Sequence, residues 1–177
     1  MVVVVRASSH EDLVFRSEMA ALGLDGTWEY ETTAKAPAPD GVAGRLAVAP
    51  GDPCVRTDYE FLADRRPVML STGWEPMAIT GGTVVVLPEG GPLAGRGVVA
   101  RMAAIGVTVA RAVEVPRPAS VDRDQAQRLG VPAGAPALQI ERTFYDTDGR
   151  PVETADILVP SQYWDTAYQY EIPPRTP

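Results

Sequence analysis

Two hydrophobic periods alternate along the chain and lay out its elements. Residues 8–22 carry Leu13, Val14, Met19, Ala20 and Leu22 at near-helical spacing until Gly23 ends the pattern, which predicts a helix serving as a linker or a lid. Ahead of it, Val2 to Val5 read as a strand entered without a turn, as expected of a chain cut from a longer one. Thr27-Trp-Glu-Tyr-Glu-Thr-Thr alternates as a strand until Pro37 and Pro39 stop it. Asp40 then caps a short helical turn over 42–48 that carries Val42, Ala43 and Leu46 on one side.

Two strands are expected next, at 54–62 and 67–74, joined by the polar turn Ala63-Asp-Arg-Arg66. The Gly- and Pro-rich stretch 81–92 predicts a loop around Val84-Val-Val-Leu87, followed by a helix over 95–105 and a strand over 107–115. Ser120 is placed at the start of a further helix that stops at Gly130. Residues 136–146 and 151–159 alternate around Thr147-Asp-Gly149, a hairpin signature, and 163–172 predict an edge strand before a loose proline-rich tail. Strands joined by short turns pair antiparallel, so the expected class is α+β with helices to one side of the sheet.

Composition narrows what such a domain does. The length of 177 residues and the 45% apolar content suit one domain with a single core. A formal charge of -7, with Lys35 the only lysine and the arginines scattered, argues against a phosphate-backbone footprint on this chain. Cys54 is the single cysteine, which excludes an internal disulfide, fits a reducing cytoplasm and reads as a buried, inert thiol. The apolar N-terminal run is too short for a signal peptide or a spanning helix, so no membrane partner is expected and the cytoplasm is the expected location. His10, the lone histidine, sits among helix-capping serines and reads as structural or solvated. One His and one Cys leave almost no material for a metal site or a hydrolase triad, and Gly95-Arg96-Gly97 lacks the third glycine of a dinucleotide fingerprint. No cofactor and no metal are expected.

The last hairpin carries the sharpest chemical signal. Pairing Tyr145 with Arg150 sets Arg142 opposite Glu153, and a slip of two residues keeps both on one face. That face also holds Leu138, Ile140, Phe144, Ala155, Ile157 and Val159, so two charges project among apolar neighbours. They form either a structural ion pair or the polar anchor of a ligand cavity. The opposite face, with Gln139, Glu141, Thr143, Tyr145, Thr154 and Asp156, is either solvated or a second binding wall.

The segment from Ala126 to Glu153, Leu129-Gly-Val-Pro through Ile140-Glu-Arg to Gly149-Arg-Pro-Val-Glu153, resembles the C-terminal signature of UTRA domains. Phe61-Leu-Ala-Asp-Arg-Arg-Pro-Val-Met-Leu-Ser-Thr-Gly-Trp-Glu-Pro76 is similar to that family's first hairpin, and Arg96 to Gly106 stands where its closing loop and helix would lie. The resemblance runs from about Thr27 to Tyr170 and implies the effector-binding half of a GntR-superfamily regulator of the HutC type. It implies a chorismate-lyase-like fold and three segments: a linker strand and helix over 1–26, the UTRA domain over 27–172 and a tail over 173–177. The N-terminal winged helix-turn-helix is absent from this chain, so DNA would be reached only through that missing domain. The implied partners are a small-molecule effector and a second copy in a homodimer.

Family members that bind sugar phosphates place arginines on the first hairpin strand, a glutamate on the second, and a glutamate and a tyrosine on the return strand. Carried over by position, the return-strand glutamate is Glu153 and the tyrosine falls on Val159. The arginine positions fall on Tyr59 and Phe61, the second-strand glutamate on Ser71, and the aromatic of its Tyr-x-Pro end on Trp74. Two cations have become aromatics, which removes contacts a phosphosugar wants and points to a less anionic, more apolar or aromatic effector. The expected roles are Glu153 as acceptor, Arg142 as its orienting partner or a ligand contact, and Tyr59, Phe61 and Trp74 as walls. Gly95, Arg96 and Gly97 would form a backbone cradle, Arg96 being either a source of positive charge or a solvated loop residue. An effector sensor without enzymatic activity is the expected function; a chorismate-lyase-like enzyme and a ligand-free dimerisation module are the alternatives.

Overall fold

A computed structural model of the chain describes residues 14–165. His10, the expected strand at 2–5, the start of the first helix and most of the 163–172 run lie outside the described residues. The elements are α1 (Val14–Ala21), β1 (Gly26–Pro37), α2 (Asp40–Leu46), β2 (Pro53–Ala63), β3 (Arg66–Pro76), α3 (Met77–Thr80), α4 (Gly97–Ala104), β4 (Val109–Ser120), α5 (Arg123–Leu129), β5 (Pro136–Asp146) and β6 (Pro151–Pro160). The strands form one antiparallel sheet in the order β1-β2-β3-β6-β5-β4, two meanders that meet at the central β3/β6 pair.

The tight β2/β3 turn puts both Asp64 and Arg65 at positive φ, 48° and 66°, the twist a two-residue hairpin requires. Asp64 is held there from outside the turn, its Oδ1 accepting the Asp25 N–H at 2.8 Å. At the β5/β6 turn, Asp146 accepts the backbone N–H groups of Asp148 and Arg150 and the Arg150 Nε–H at 3.0 Å. Burial alone would push the Asp146 carboxyl up, but the Arg150 and Asp148 bonds outweigh it and hold the carboxyl below its usual range.

Strand alternation divides the side chains between two faces. On one, Phe15 and Met19 of α1 pack with Ile140, Ala155, Ile157, Val159 and Trp164, while Val98 and Met102 of α4 pack with Val152 and Phe144. On the other, α2 covers Cys54 and Trp74, and α5 covers Leu70, Ala137 and Leu158. Helices therefore lie on both faces, which corrects the expectation of helices to one side. The face open to two readings on the last hairpin is closed by α2, whose Arg45 grips Asp156 through two bonds of 2.7 and 2.8 Å and lies 3.4 Å from Glu141. Thr143 and Thr154 are buried there with their hydroxyls 2.9 Å apart.

Several boundaries move for local reasons. β4 runs on through Pro116 and Pro118 to Ser120, because an edge strand needs no outward N–H donors. Ser120 thus ends a strand, and Asp122 caps α5 in a reciprocal box: its Oδ1 accepts the Gln125 N–H at 2.8 Å and Gln125 Oε1 accepts the Asp122 N–H at 2.9 Å. Asp40 is the first residue of α2, with Pro39 at the cap position and no side-chain cap bond. In the last hairpin Tyr145 pairs with Pro151, one residue beyond the expected partner, and an irregularity between Phe144 and Tyr145 adds a second, so Arg142 stands opposite Ala155 and Glu153 opposite Phe144, both charges still on one face.

Asp122→Ala is expected to cost about 1 kcal/mol of stability, read as a lower urea midpoint. Because its folded pKa is lowered, Asp146 stabilises the fold above the ordinary carboxylate range, and that contribution is lost as pH falls through the lowered value. Asp146→Asn should therefore flatten the acid limb of a stability-against-pH curve.

Candidate functional site

Small residues on the central strands open a depression in the sheet. Reading across one row, Thr57 of β2 pairs with Gly73 of β3, Gly73 with Ala155 of β6, and Ala155 with Arg142 of β5. The missing side chain at Gly73 matters, since a Cβ there would stand 3.4 Å from the Glu153 Oε1 atom. Bulkier groups rise around this hollow, and the loop 81–96 with α4 roofs it. The resulting cavity of about 90 Å³ is lined by Thr57, Ser71, Gly73, Glu75, Arg101, Arg142 and Glu153 toward the sheet, and by Trp28, Tyr59, Phe61, Glu89 and Gly95 toward one side.

The side wall is a run of three rings on β1 and β2. Phe61 lies 6.1 Å from Trp28 and stacks with Tyr59 at 5.6 Å, centroid to centroid. Gly95, at φ 66°, allows the roof loop to close on this wall, because a Cβ would come within 3.2 Å of Trp28. The loop is fastened at the same place by the Tyr59 hydroxyl, which donates to Glu89 Oε1 at 3.1 Å. Burial, reinforced by the Glu89 charge, pushes the Tyr59 phenol far above its ordinary pKa, so it stays a neutral donor.

The deep end is polar and buried. Arg101 of α4 and Glu75 of β3, 2% and 3% exposed, join in a two-pronged ion pair with both bonds at 2.7 Å, and Arg101 Nη2 also donates to the Val85 carbonyl at 2.7 Å. Glu153 is 4% exposed. The Arg142 guanidinium stacks over Phe144 at 4.8 Å, with its Nε buried and lacking a hydrogen-bond partner among the described residues.

Of the residues singled out by sequence, the fold brings Tyr59, Phe61, Ser71, Gly95, Gly97, Arg142 and Glu153 to this cavity. Trp74 is not among them, because it alternates out of phase with Ser71 and Gly73 and packs under α2 with Cys54. Val159 shares the face of Glu153 but lies farther along β6, buried against Phe15 and Trp164. Arg96 points to an outer mouth lined also by Arg16, Trp28 and Glu89. The second-strand glutamate in the cavity is Glu75, in phase with Ser71, where the carried-over position was Ser71 itself. Thr57 was also legible from its parity with Tyr59, and Arg101 from being a lone charge in an apolar helix. Trp28 and Glu89 carried no such signal.

Breaking a buried ion pair strands a charge, so Arg101→Met is expected to lose about 3–5 kcal/mol in urea denaturation. Replacing both partners, Glu75→Leu with Arg101→Met, should recover most of that loss.

Comparison with known proteins places this geometry. Residues 21–164 match the family described as UTRA domain. The crystal structure of a GntR-family transcriptional regulator superposes with a TM-score of 0.87 at 38% identity, covering 96% of this chain and 70% of that one. PhnF from Mycobacterium smegmatis superposes at 0.79 with 20% identity, over 96% of this chain and 72% of that one, a likeness of fold. The HTH-type transcriptional regulator Rv0792c of Mycobacterium tuberculosis (strain ATCC 25618 / H37Rv) is 34% identical over 73 residues, 41% of this chain and 26% of that regulator. The match thus spans about a quarter of that curated relative. With residues 21–164 matched by the family's model, the chain belongs to the UTRA domain family.

Proposed function

We propose that this chain is the effector-sensing domain of a GntR-type transcription regulator and binds a small molecule in the cavity between the sheet, the loop 81–96 and α4. The observation that carries this reading is the cavity itself. A three-ring wall meets a buried polar end, the combination small-molecule sites use to gain affinity from one surface and orientation from the other. Glu153 and Arg142 are the orienting groups, Tyr59, Phe61 and Trp28 the stacking wall, and Ser71 and Thr57 short hydroxyl contacts. The domain division follows: 27–172 as the sensing unit, with α1 on the side of the linker.

DNA binding belongs to a winged helix-turn-helix preceding this segment, and a homodimer in the cytoplasm is the working assembly. Effector binding then biases the spacing of two DNA-binding heads, which requires the ligand to prefer one arrangement. No helix among the described residues is long and apolar enough to cross a membrane. The chain acts by binding rather than catalysis, and turnover of chorismate to 4-hydroxybenzoate by the purified chain would overturn that part of the reading.

A metabolite library screened by thermal melting should contain a ligand that raises stability, by about 2.7 kcal/mol at a hundred times its Kd. Glu153→Ala should lose most of that shift. An unchanged affinity in the variant would remove Glu153 from the site.

A further inference from the structure

Among the described residues, one of the two guanidiniums that line the cavity has no anionic partner. Arg101 is held by Glu75 in the two-pronged pair. Arg142 is not so held: its guanidinium lies over the Phe144 ring at 4.8 Å, and its buried Nε has no hydrogen-bond partner there. The three carboxylates that line the cavity are all engaged within the protein, Glu75 by Arg101 and Glu89 by the Tyr59 hydroxyl, and Glu153 is not free either. The outer mouth leans the same way, since Arg16, which lies over Trp28 at 4.5 Å, and Arg96 stand there with Glu89 as the one carboxylate among the lining residues. An approaching anion meets two guanidiniums at the rim and a third at the floor, an arrangement that raises the local concentration of negative ligands.

Resting on the effector reading, we propose that the ligand is a small organic carboxylate, with its carboxylate on Arg142 and an apolar or aromatic body along Trp28, Phe61 and Tyr59. A planar guanidinium meets both oxygens of a carboxylate with two parallel N–H bonds. A phosphate dianion needs further positive charge at the same point, and Arg101, the other cation of the cavity, is already neutralised by Glu75. The three-ring wall favours a body that gains from burial and stacking over a polyhydroxylated one. At about 90 Å³ the cavity takes a compact molecule, and a longer body emerges toward the outer mouth, which shares Trp28, Glu89 and Gly95 with it.

Calorimetric titration of the unaltered 177-residue chain at neutral pH separates the charge from the body by setting each acid against its neutral amide. Isovalerate is paired with isovaleramide, benzoate with benzamide and phenylacetate with phenylacetamide, and acetate, sugar phosphates and neutral sugars complete the panel. At least one acid should bind about tenfold or more tighter than its own amide, as a charge-assisted pair of hydrogen bonds supplies, and tighter than acetate, which lacks the body. Arg142→Met should erase the advantage of acid over amide, while Arg142→Lys, which keeps the charge and loses the fork, should restore part of it. If the variants fail to fold, the comparison of acid with amide on the unaltered chain still decides. Amides that equal their acids overturn the carboxylate, as does an acid whose advantage survives Arg142→Met. A sugar or sugar phosphate that binds in their place overturns it too, and these three outcomes leave the effector reading standing. No binding by any member of the panel or of the metabolite library overturns both.

Discussion

One buried guanidinium ties the site together. Arg101 reaches from α4 to Glu75 on β3 and to the Val85 carbonyl in the roof loop, so sheet, helix and loop share a single charged knot. Such a pair is expensive to desolvate and contributes little net stability over apolar residues of the same shape, but it tolerates only one arrangement of its partners. Dispersion and apolar burial would allow α4 to slide on the sheet. Two directed bonds at 2.7 Å constrain it further, tying α4 to β3 at the deep end of the cavity.

The opposite face works by the same principle with less burial. Arg45 of α2 holds Asp156 and approaches Glu141, while Thr143 and Thr154 satisfy each other beneath. This fixes the back of β5 and β6, the two strands whose front carries Arg142 and Glu153. Side chains on a strand clamped from behind are held in place, the advantage of a rigid element for any group that lines a cavity. The wall has the complementary property. Phe61 lies 5.0 Å from Phe15 of α1 and Trp28 carries Arg16 of the same helix at 4.5 Å, so the rings that face the cavity also face α1.

Local pattern determined much of this molecule. Period-two alternation placed the strands, their antiparallel pairing and the shared face of Arg142 and Glu153, and it did so even though the register slipped by two, since parity survives an even slip. Turn chemistry placed the hairpins at 63–66 and 147–149, and Gly130 the end of α5. The resemblance to UTRA domains rested on the same stretches. Parity also explains the failure at Trp74, which stands out of phase with Ser71 on the same strand and so belongs to the other face.

What only the tertiary structure decided depends on contacts between segments far apart in the chain. That helices cover both faces follows from which way each connection turns, a choice the amphipathic pattern of a helix leaves open. Ser120 looked like a cap because its chemistry is that of a cap, and the outcome turned on β4 being an edge strand where prolines do no harm. Trp28 and Glu89 came to line the cavity through their neighbours, one by edge pairing with β2 and the other by the reach of a loop to Tyr59. The sequence by itself determined which residues share a face, because alternation is a property of the backbone. Which faces meet, and which residues come to line the cavity, was decided by packing.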